Sequence, residues 1–366
     1  MYEVISHDQK IRWEEKLNQL SKTDIFYHPS YSNLYQRFGD GAPHLFFYDD
    51  GRGNQAGYVF LKRKISGLPF VQNEKLNVDL FDIITPSYGY GGPLGNVEDE
   101  QSLRKFRKEF EEYCQKEHII CEFIRFHPLL ENYKLMNPYM DVAYDRETVF
   151  IDLTKDEKEI FSQYHNNHKR NVNKAYKNEL KFKTFQSEEA IKMVDDFYKL
   201  YKETMDKLQA SAYSYFSIEY LISLLSDLAN MSVIGSVFYE GRMIGAALCL
   251  YDGDSLHYHL GCSQKQFLNM GGNIYLLHQM ALWGKQVGLN KFHLGGGHIG
   301  RDSLFQYKYR FNPNGLLHFY TGKKVHNVQT YNWLIEKWEK YYGESADQQF
   351  FPAYRSKPQK ATSVLV

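Results

Sequence analysis

Ser236-Val237-Phe238-Tyr239-Glu240-Gly241-Arg242-Met243-Ile244-Gly245-Ala246-Ala247-Leu248-Cys249-Leu250-Tyr251 is the stretch whose reading decides the fold. Two apolar, β-prone runs flank Glu240-Gly241-Arg242, a turn-forming triplet, so the stretch reads as a hairpin. Reading outward, Leu256 to Leu260 is a strand, a loop ends at Gly271-Gly272, Ile274 to Val287 is a helix and Lys291 to Leu294 is a strand. The first half of the chain has the same grammar. His44 to Tyr48 and Tyr58 to Lys62 flank the turn Asp49-Asp50-Gly51-Arg52-Gly53-Asn54. Phe81 to Thr85 then leads through Tyr88-Gly89-Tyr90-Gly91-Gly92-Pro93 to a helix, Glu98 to Gln115, and a strand, Ile119 to Phe126. Phe238-Tyr239-Glu240-Gly241 also echoes Phe47-Tyr48-Asp49-Asp50-Gly51. Element order therefore predicts a duplicated α/β (α+β) unit. Domain 1 is expected over 1–150 and domain 2 over 151–319, with 320–366 returning to domain 1.

The rest of the chain reads as helix. Asp8 to Leu20 is short, and a second helix starts at Pro29 and ends near Gly39. Asp156 to Glu179 and Glu188 to Leu208 each read as one helix. The latter carries Val194, Phe197, Tyr198, Tyr201, Met205 and Leu208 on one stripe. Ile218 to Leu228 and Val325 to Tyr341 are two more, and the tail after Pro352 reads as loose.

Composition narrows the function classes. Of 366 residues, 44 are Lys or Arg and 44 are Asp or Glu, so the net charge of zero argues against a dedicated nucleic-acid binder, DNA included, while leaving room for a local basic patch. A hydrophobic fraction of 43% excludes disorder, and the 30 tyrosines favour amphipathic contact surfaces. Met1 to Trp13 has no apolar signal-type core, and no window reaches the roughly 18 uninterrupted apolar residues of a membrane span. Cys114, Cys121, Cys249 and Cys262 form no CxxC pair and read as free thiols of a reducing compartment, so the expected location is cytoplasmic. The Walker A, HExxH, GxSxG and GxGxxG patterns are all missing.

Three constellations carry candidate chemistry. Six basic residues lie between Lys169 and Lys183 against Glu179 alone, and Arg170, Lys174 and Lys177 share one helix face. Such a face suits a phosphate-bearing ligand, while a solvated surface is the plainer explanation. His165 and His168 lack acidic or sulfur partners at ligand spacing, so no metal is expected. The second constellation is Gly295-Gly296-Gly297 after a strand, followed by Phe305, Lys308 and Phe311 at i, i+3 and i+6. Its functional reading is a close ligand approach with two aromatic walls and one cation, against a structural turn and core aromatics. The third is Gly271-Gly272-Asn273 at a helix start, where unpaired N–H groups favour an anion. His257 and His259 share one side of their strand, and His259, His298 and Asp302 are the candidate bases.

The basic helix around Lys169 to Lys177, the Tyr198 to Met205 helix, the hairpin at Gly241 and the helix ending Trp283 to Gly288 form a larger pattern. With Gly295-Gly296 and Leu304-Phe305-Gln306-Tyr307-Lys308-Tyr309-Arg310-Phe311, it resembles the FemAB family and its relatives with a GNAT-type acyltransferase domain. The Tyr88 to Pro93 loop is similar to a segment of that family's first domain. The resemblance spans about Phe26 to Phe319, and the glycine pair with the Phe-x-x-Lys-x-x-Phe run is its most specific part. It implies two tandem GNAT-like domains, each a mixed, mainly antiparallel sheet flanked by helices. It also implies transfer of an aminoacyl group from charged tRNA to an amine of a peptidoglycan precursor, or, in relatives, of an acyl group from coenzyme A to an amino sugar or other envelope precursor. Lys308, His259 and Asp302 would then be catalytic, with Lys308 holding a donor phosphate or steadying developing negative charge. Arg170 and Lys174 would bind acceptor pyrophosphate beside Tyr198 and Tyr201, with Gly295, Gly296, Phe305 and Phe311 lining the site. Gly271, Gly272 and Asn273 would take the donor's phosphates. No permanently bound cofactor is implied. The partners would be a nucleotide- or lipid-linked envelope precursor and a tRNA acceptor end. A non-catalytic binding protein on the same scaffold is the alternative from another class.

Overall fold

The computed structural model describes residues 1–72, 74, 79–86, 88–97, 99–210 and 214–358. Its elements run, in chain order, β1 (Tyr2–Ser6), α1 (Lys10–Leu17), α2 (Pro29–Arg37), β2 (Ala42–Asp49), β3 (Gln55–Lys64), β4 (Phe81–Ile84), β5 (Leu94–Gly95), α3 (Glu100–Lys116), β6 (Ile119–Arg125), α4 (Tyr133–Met136) and β7 (Asp141–Asp152). They continue α5 (Glu157–Gln163), α6 (Asn166–Lys177), β8 (Lys181–Phe185), α7 (Ser187–Lys192), α8 (Val194–Leu208), α9 (Ile218–Asp227), β9 (Ser232–Tyr239), β10 (Arg242–Asp252) and β11 (Ser255–Ser263). The last are α10 (Gly272–Gln286), β12 (Lys291–Gly296), α11 (Ser303–Tyr309), β13 (Leu316–Val325) and α12 (Val328–Tyr342).

The chain divides into two compact units. The first comprises Met1–Lys22, Tyr35–Tyr144 and Tyr320–Val366, the second Thr23–Leu34 and Asp145–Phe319. This division departs from the 1–150 and 151–319 expectation at residues 145–150 and at Thr23–Leu34. In the latter segment the Asp24 carboxylate lies 2.8 Å from Nε2 of His257 on β11, so the segment is held by the second unit.

Within unit 1 the strand order is β1-β2-β3-β4-β6-β13. Pairing is antiparallel at β1/β2, β2/β3 and β3/β4, parallel at β4/β6, and antiparallel at β6/β13. Within unit 2 the order is β8-β9-β10-β11-β12-β7. Its pairings are again three antiparallel, one parallel and one antiparallel, in the same sequence. Two copies of one mixed, mainly antiparallel fold are thus confirmed, and their last strands are exchanged along the chain. β7 follows β6 yet pairs with β12, and β13 follows β12 yet pairs with β6.

Aromatic packing fills the unit 1 core, where Phe46, Tyr58, Phe60, Phe106 and Phe110 meet with ring centroids 5.0 to 6.5 Å apart. In unit 2, α6 (Val172, Ala175), α10 (Leu276, Met280) and α11 (Phe305) cover one sheet face, meeting Val233, Val237 and Phe292. On the other face α8 lies against β10 and β11.

Several local expectations need correction. Asp156 to Glu179 is two helices, because Tyr164 is extended and His165 starts anew, its Nδ1 accepting from the Asn167 N–H at 3.2 Å. Glu188 to Leu208 is likewise broken at Met193. The tail after Pro352 is anchored as far as Ser356: Trp338 Nε1 donates to the Ser356 carbonyl (3.2 Å) and Arg355 Nε to Asp82 (2.6 Å). The expected helix start at Glu98 lies outside the described residues, and α3 begins at Glu100 with Asp99 as its cap.

Candidate active site

β11 and β12 run side by side for only three residue pairs, ending at His257 opposite His293. β11 then continues to Ser263 and β12 to Gly296 without pairing each other. At this point β11 also carries a β-bulge. Cys249 faces Tyr258 but Leu248 faces Leu260, so His259 is the extra residue. The bulge sets Tyr258 and Gly261 on the same face, and the phenol lies along the backbone at Gly261. A methyl group added there would come within 1.8 Å of the Tyr258 hydroxyl oxygen.

Lys308 stands over this opening. It sits on α11, is 8% exposed, donates from Nζ to the Gly296 carbonyl on β12 (2.8 Å) and holds its ammonium 5.7 Å from the Tyr258 ring centroid on β11. Burial pushes its pKa down to about 8, partly opposed by Asp302. α11 can start here because Asp302 caps it: its carboxylate accepts from the N–H groups of Phe305 (2.8 Å), His298 (2.7 Å) and Ile299 (3.2 Å). Burial raises the Asp302 pKa, but these three bonds outweigh it and hold the carboxyl below its ordinary value.

α6 is tied to the same region. His168, buried at its first turn, donates from Nε2 to the Tyr307 carbonyl (2.9 Å) and packs its ring 4.5 Å from Phe311. Burial lowers its pKa to about 4, so it is neutral at pH 7. Tyr307 in turn donates from its hydroxyl to the Asn273 carbonyl (3.0 Å) at the start of α10, and Asn273 Nδ2 bonds Ser263 Oγ (3.1 Å) at the end of β11. The three constellations of the sequence thus meet in one region of unit 2.

Individual expectations fare differently. Phe305 and Phe311 are fully buried in the unit 2 core and offer no wall to a ligand; the i, i+3, i+6 stripe is simply the inward face of α11 and its C-terminal turn. His259 is buried with Nε2 3.1 Å from the Tyr220 hydroxyl, and burial lowers its pKa to about 3, which makes it a weak base. His298 is exposed. Tyr201 is buried and donates to the Ser214 carbonyl (2.5 Å), fixing α8 to the segment before α9, and Tyr198 is half-buried. The glycines have packing reasons. Gly295 has φ +74°, and a Cβ at Gly296 would strike the Glu147 carbonyl at 2.6 Å. At Gly271 a Cβ would strike the Asn171 carbonyl of α6 at 2.4 Å, so this glycine serves helix contact, whereas Gly272 has room for one. Arg170, Lys174 and Lys177 project from the exposed face of α6, and none of the six cations from Lys169 to Lys183 forms an ion pair among the described residues. Tyr258 was not singled out by the sequence; the only signal for it there was its position between two histidines that face the other way.

Residues 162–309 match the family model described as an acetyltransferase (GNAT) domain. The match covers the opening, Lys308 and α6, so this segment of unit 2 carries the GNAT-type acyltransferase domain signature. No curated protein matches the chain. Among solved structures, that of FemX superposes with a TM-score of 0.67 at 13% identity, covering 91% of this chain and 99% of that one. The structure of L-PGS from Bacillus licheniformis gives 0.55 at 13% identity over 91% and 96%. The C-terminal domain of a putative lysylphosphatidylglycerol synthetase from Agrobacterium fabrum gives 0.53 at 13% over 89% and 94%. At these identities the likeness is one of fold. No helix among the described residues is long and apolar enough to cross a membrane.

Proposed function

We propose that the chain transfers an aminoacyl group from aminoacyl-tRNA to an amine of a peptidoglycan precursor, with the chemistry at the β11/β12 opening of unit 2. The observation that carries this reading is the buried Lys308 ammonium held between the two strands where they part. An amine attacks the ester carbonyl carbon, the carbonyl oxygen gains negative charge, and the C–O bond to the ribose breaks as the tetrahedral species collapses. A cation in a low-dielectric opening stabilises that charge far more than one in water. The unpaired cations of α6, Arg170 and Lys174 among them, suit phosphates of a nucleotide-linked or lipid-linked acceptor or of the acceptor end of tRNA. One structural neighbour is the C-terminal domain of a putative lysylphosphatidylglycerol synthetase, a name that carries an aminoacyl product, which supports an aminoacyl rather than an acetyl group.

The second reading is an acyl-coenzyme A-dependent N-acetyltransferase acting on an amino sugar or other envelope precursor. The first turn of α10 favours it, because the N–H groups of Gly272, Asn273 and Ile274 lack acceptors within the helix and suit an anion. The Asn171 carbonyl packed on Gly271 weighs against a pyrophosphate there. Thermal shift separates the two, since a ligand at about 100 times its Kd adds about 2.7 kcal/mol of stability. A charged acceptor-arm analogue should raise Tm and yield labelled acyl-acceptor product, while acetyl-coenzyme A should do neither. The converse result establishes the second reading. Saturable binding of a donor without turnover would instead point to a non-catalytic binding protein.

A further inference from the structure

We infer that Tyr258 is a second catalytic residue of unit 2, its hydroxyl donating a hydrogen bond to the acyl carbonyl oxygen as that oxygen becomes negative. This rests on the reading of the β11/β12 opening as the acyl-transfer site. Tyr258 is the first residue of β11 beyond the last pair with β12, so its side chain belongs to the mouth of the gap. The bulge at His259 breaks the two-residue alternation and places Tyr258 and Gly261 on one face. With no side chain at Gly261, the phenol lies flat along the strand and its hydroxyl reaches the backbone three residues on. The Lys308 ammonium stands 5.7 Å from the centre of the same ring, so the cation borders the phenol at the mouth of the gap. Tyr258 is half-buried on β11 and Lys308 buried on α11, so each element brings a polar group to the opening.

The step moves no proton to or from Tyr258. The phenol O–H donates throughout, the new N–C bond forms as the C–O or C–S bond breaks, and the amine proton leaves with the departing group or solvent. The bond strengthens as charge grows on oxygen, so its loss falls on turnover rather than on substrate binding.

Tyr258→Phe removes only the hydroxyl. It should lower kcat by about a hundredfold, the usual scale for one oxyanion donor, with KM within about twofold and Tm unchanged. Gly261→Ala should lower kcat in the same way by displacing the phenol, and the double variant should be no slower than Tyr258→Phe alone, because both act on one hydroxyl. Each is assayed with the full chain against the charged acceptor-arm analogue and against acetyl-coenzyme A. If the unaltered protein turns over and Tyr258→Phe matches it within about twofold, Tyr258 is not catalytic while the acyl-transfer reading stands. Additive losses in the double variant would likewise overturn the role of the hydroxyl. If the unaltered protein turns over neither donor, the acyl-transfer reading falls and the assignment of Tyr258 falls with it.

Discussion

Replacing Lys308 by Met should make the protein more stable while destroying its activity, and the gain should shrink as pH rises. The side chain is nearly isosteric and its stem stays packed, so the main change is loss of a buried charge. Burial takes the lysine from its ordinary value to about 8 in the folded chain. Between about pH 8 and pH 10.4, the unperturbed lysine value, the unfolded chain therefore holds a proton that the folded one lacks, so stability increases with pH through this window. Worked through, the charged lysine costs about 3 kcal/mol at pH 7 and about 2 kcal/mol at pH 9. Against this, the variant leaves the Gly296 carbonyl without its 2.8 Å donor. That loss is about 1–2 kcal/mol at a half-exposed group within reach of water. The expected net result is a variant about 1–2 kcal/mol more stable at pH 7, with the advantage falling by about 1 kcal/mol at pH 9. Paired urea titrations at the two pH values measure this, and the pH dependence common to both proteins cancels in the difference. Because the two units need not unfold together, the transition that moves should be the one of unit 2. A stability gap that stays constant between pH 7 and pH 9 would refute the reasoning, because it would mean that no buried ammonium with a lowered pKa exists.

Further outcomes follow from the same geometry. Lys308 acts as a cation in the proposed step, so acyl transfer should decline as pH rises through about 8; Lys308→Arg, if active, should carry the decline above the measurable range, and an activity that instead rises through pH 8 would make the residue a base. Lys308→Ala should cost at least about tenfold in turnover with the circular dichroism spectrum unchanged. Asp302→Ala removes the cap of α11 and should destabilise the protein by about 1–2 kcal/mol in urea, with turnover falling as well because α11 carries Lys308. In unit 1, Glu122 is fully buried, with Arg107 at 2.7 Å, the Tyr58 hydroxyl at 3.2 Å and His326 at 3.4 Å. Glu122→Gln removes the buried counter-charge of that guanidinium, leaving it only Glu111 at 3.6 Å, and should cost about 3 kcal/mol by urea unfolding, without altering donor binding by unit 2.

The parts of the fold that were legible in the sequence are those where local chemistry and burial agree. Both hairpins were visible because polar turn residues interrupt runs buried on both sides, as in β3 and β10. β1, β7, β8 and β13 were not. β7 opens with Asp141-Val142-Ala143-Tyr144-Asp145-Arg146-Glu147, largely exposed and without a clean alternation, and only its end is buried. β8 is an edge strand with no fully buried residue. The pairing of β7 and β13 is decided by partners more than 100 residues away, which no local pattern encodes. The helix breaks at His165 and Met193 lack the glycine or proline that signals a stop. Lys308 could be picked out because a single cation interrupts an aromatic stripe. The same stripe misled about Phe305 and Phe311, whose spacing belongs equally to an inward helix face. Tyr258 acquires its place only through the bulge and the parting of two strands, both of which are tertiary facts.

Duplication raises the question of why chemistry should belong to one copy, and strand pairing supplies a physical answer. In unit 1, β4 and β6 run parallel like β11 and β12, but their pairing does not lapse. The Thr85 N–H bonds the Phe123 carbonyl (3.2 Å) and Thr85 Oγ1 accepts from the Arg125 N–H (3.0 Å). The Gly91 N–H then bonds the Arg125 carbonyl (2.7 Å), and Asn132 Nδ2 secures the Gly91 and Pro93 carbonyls at 2.8 and 3.1 Å. The glycine-rich loop after β4 is therefore spent on closing its own sheet. Gly91 packs on Thr85 where a Cβ would meet it at 2.8 Å, and Gly92 turns with φ +91°. A ligand entering there would have to break several buried hydrogen bonds, each left unsatisfied at about 1–3 kcal/mol. In unit 2 the strand pairing of β11 with β12 ends at His257 and His293 among the described residues, and a cation is already held over the gap. Equal topology with unequal closure supports the proposed acyl-transfer site in unit 2, and it predicts that substitutions in the Tyr88 to Pro93 loop act on stability before they act on turnover.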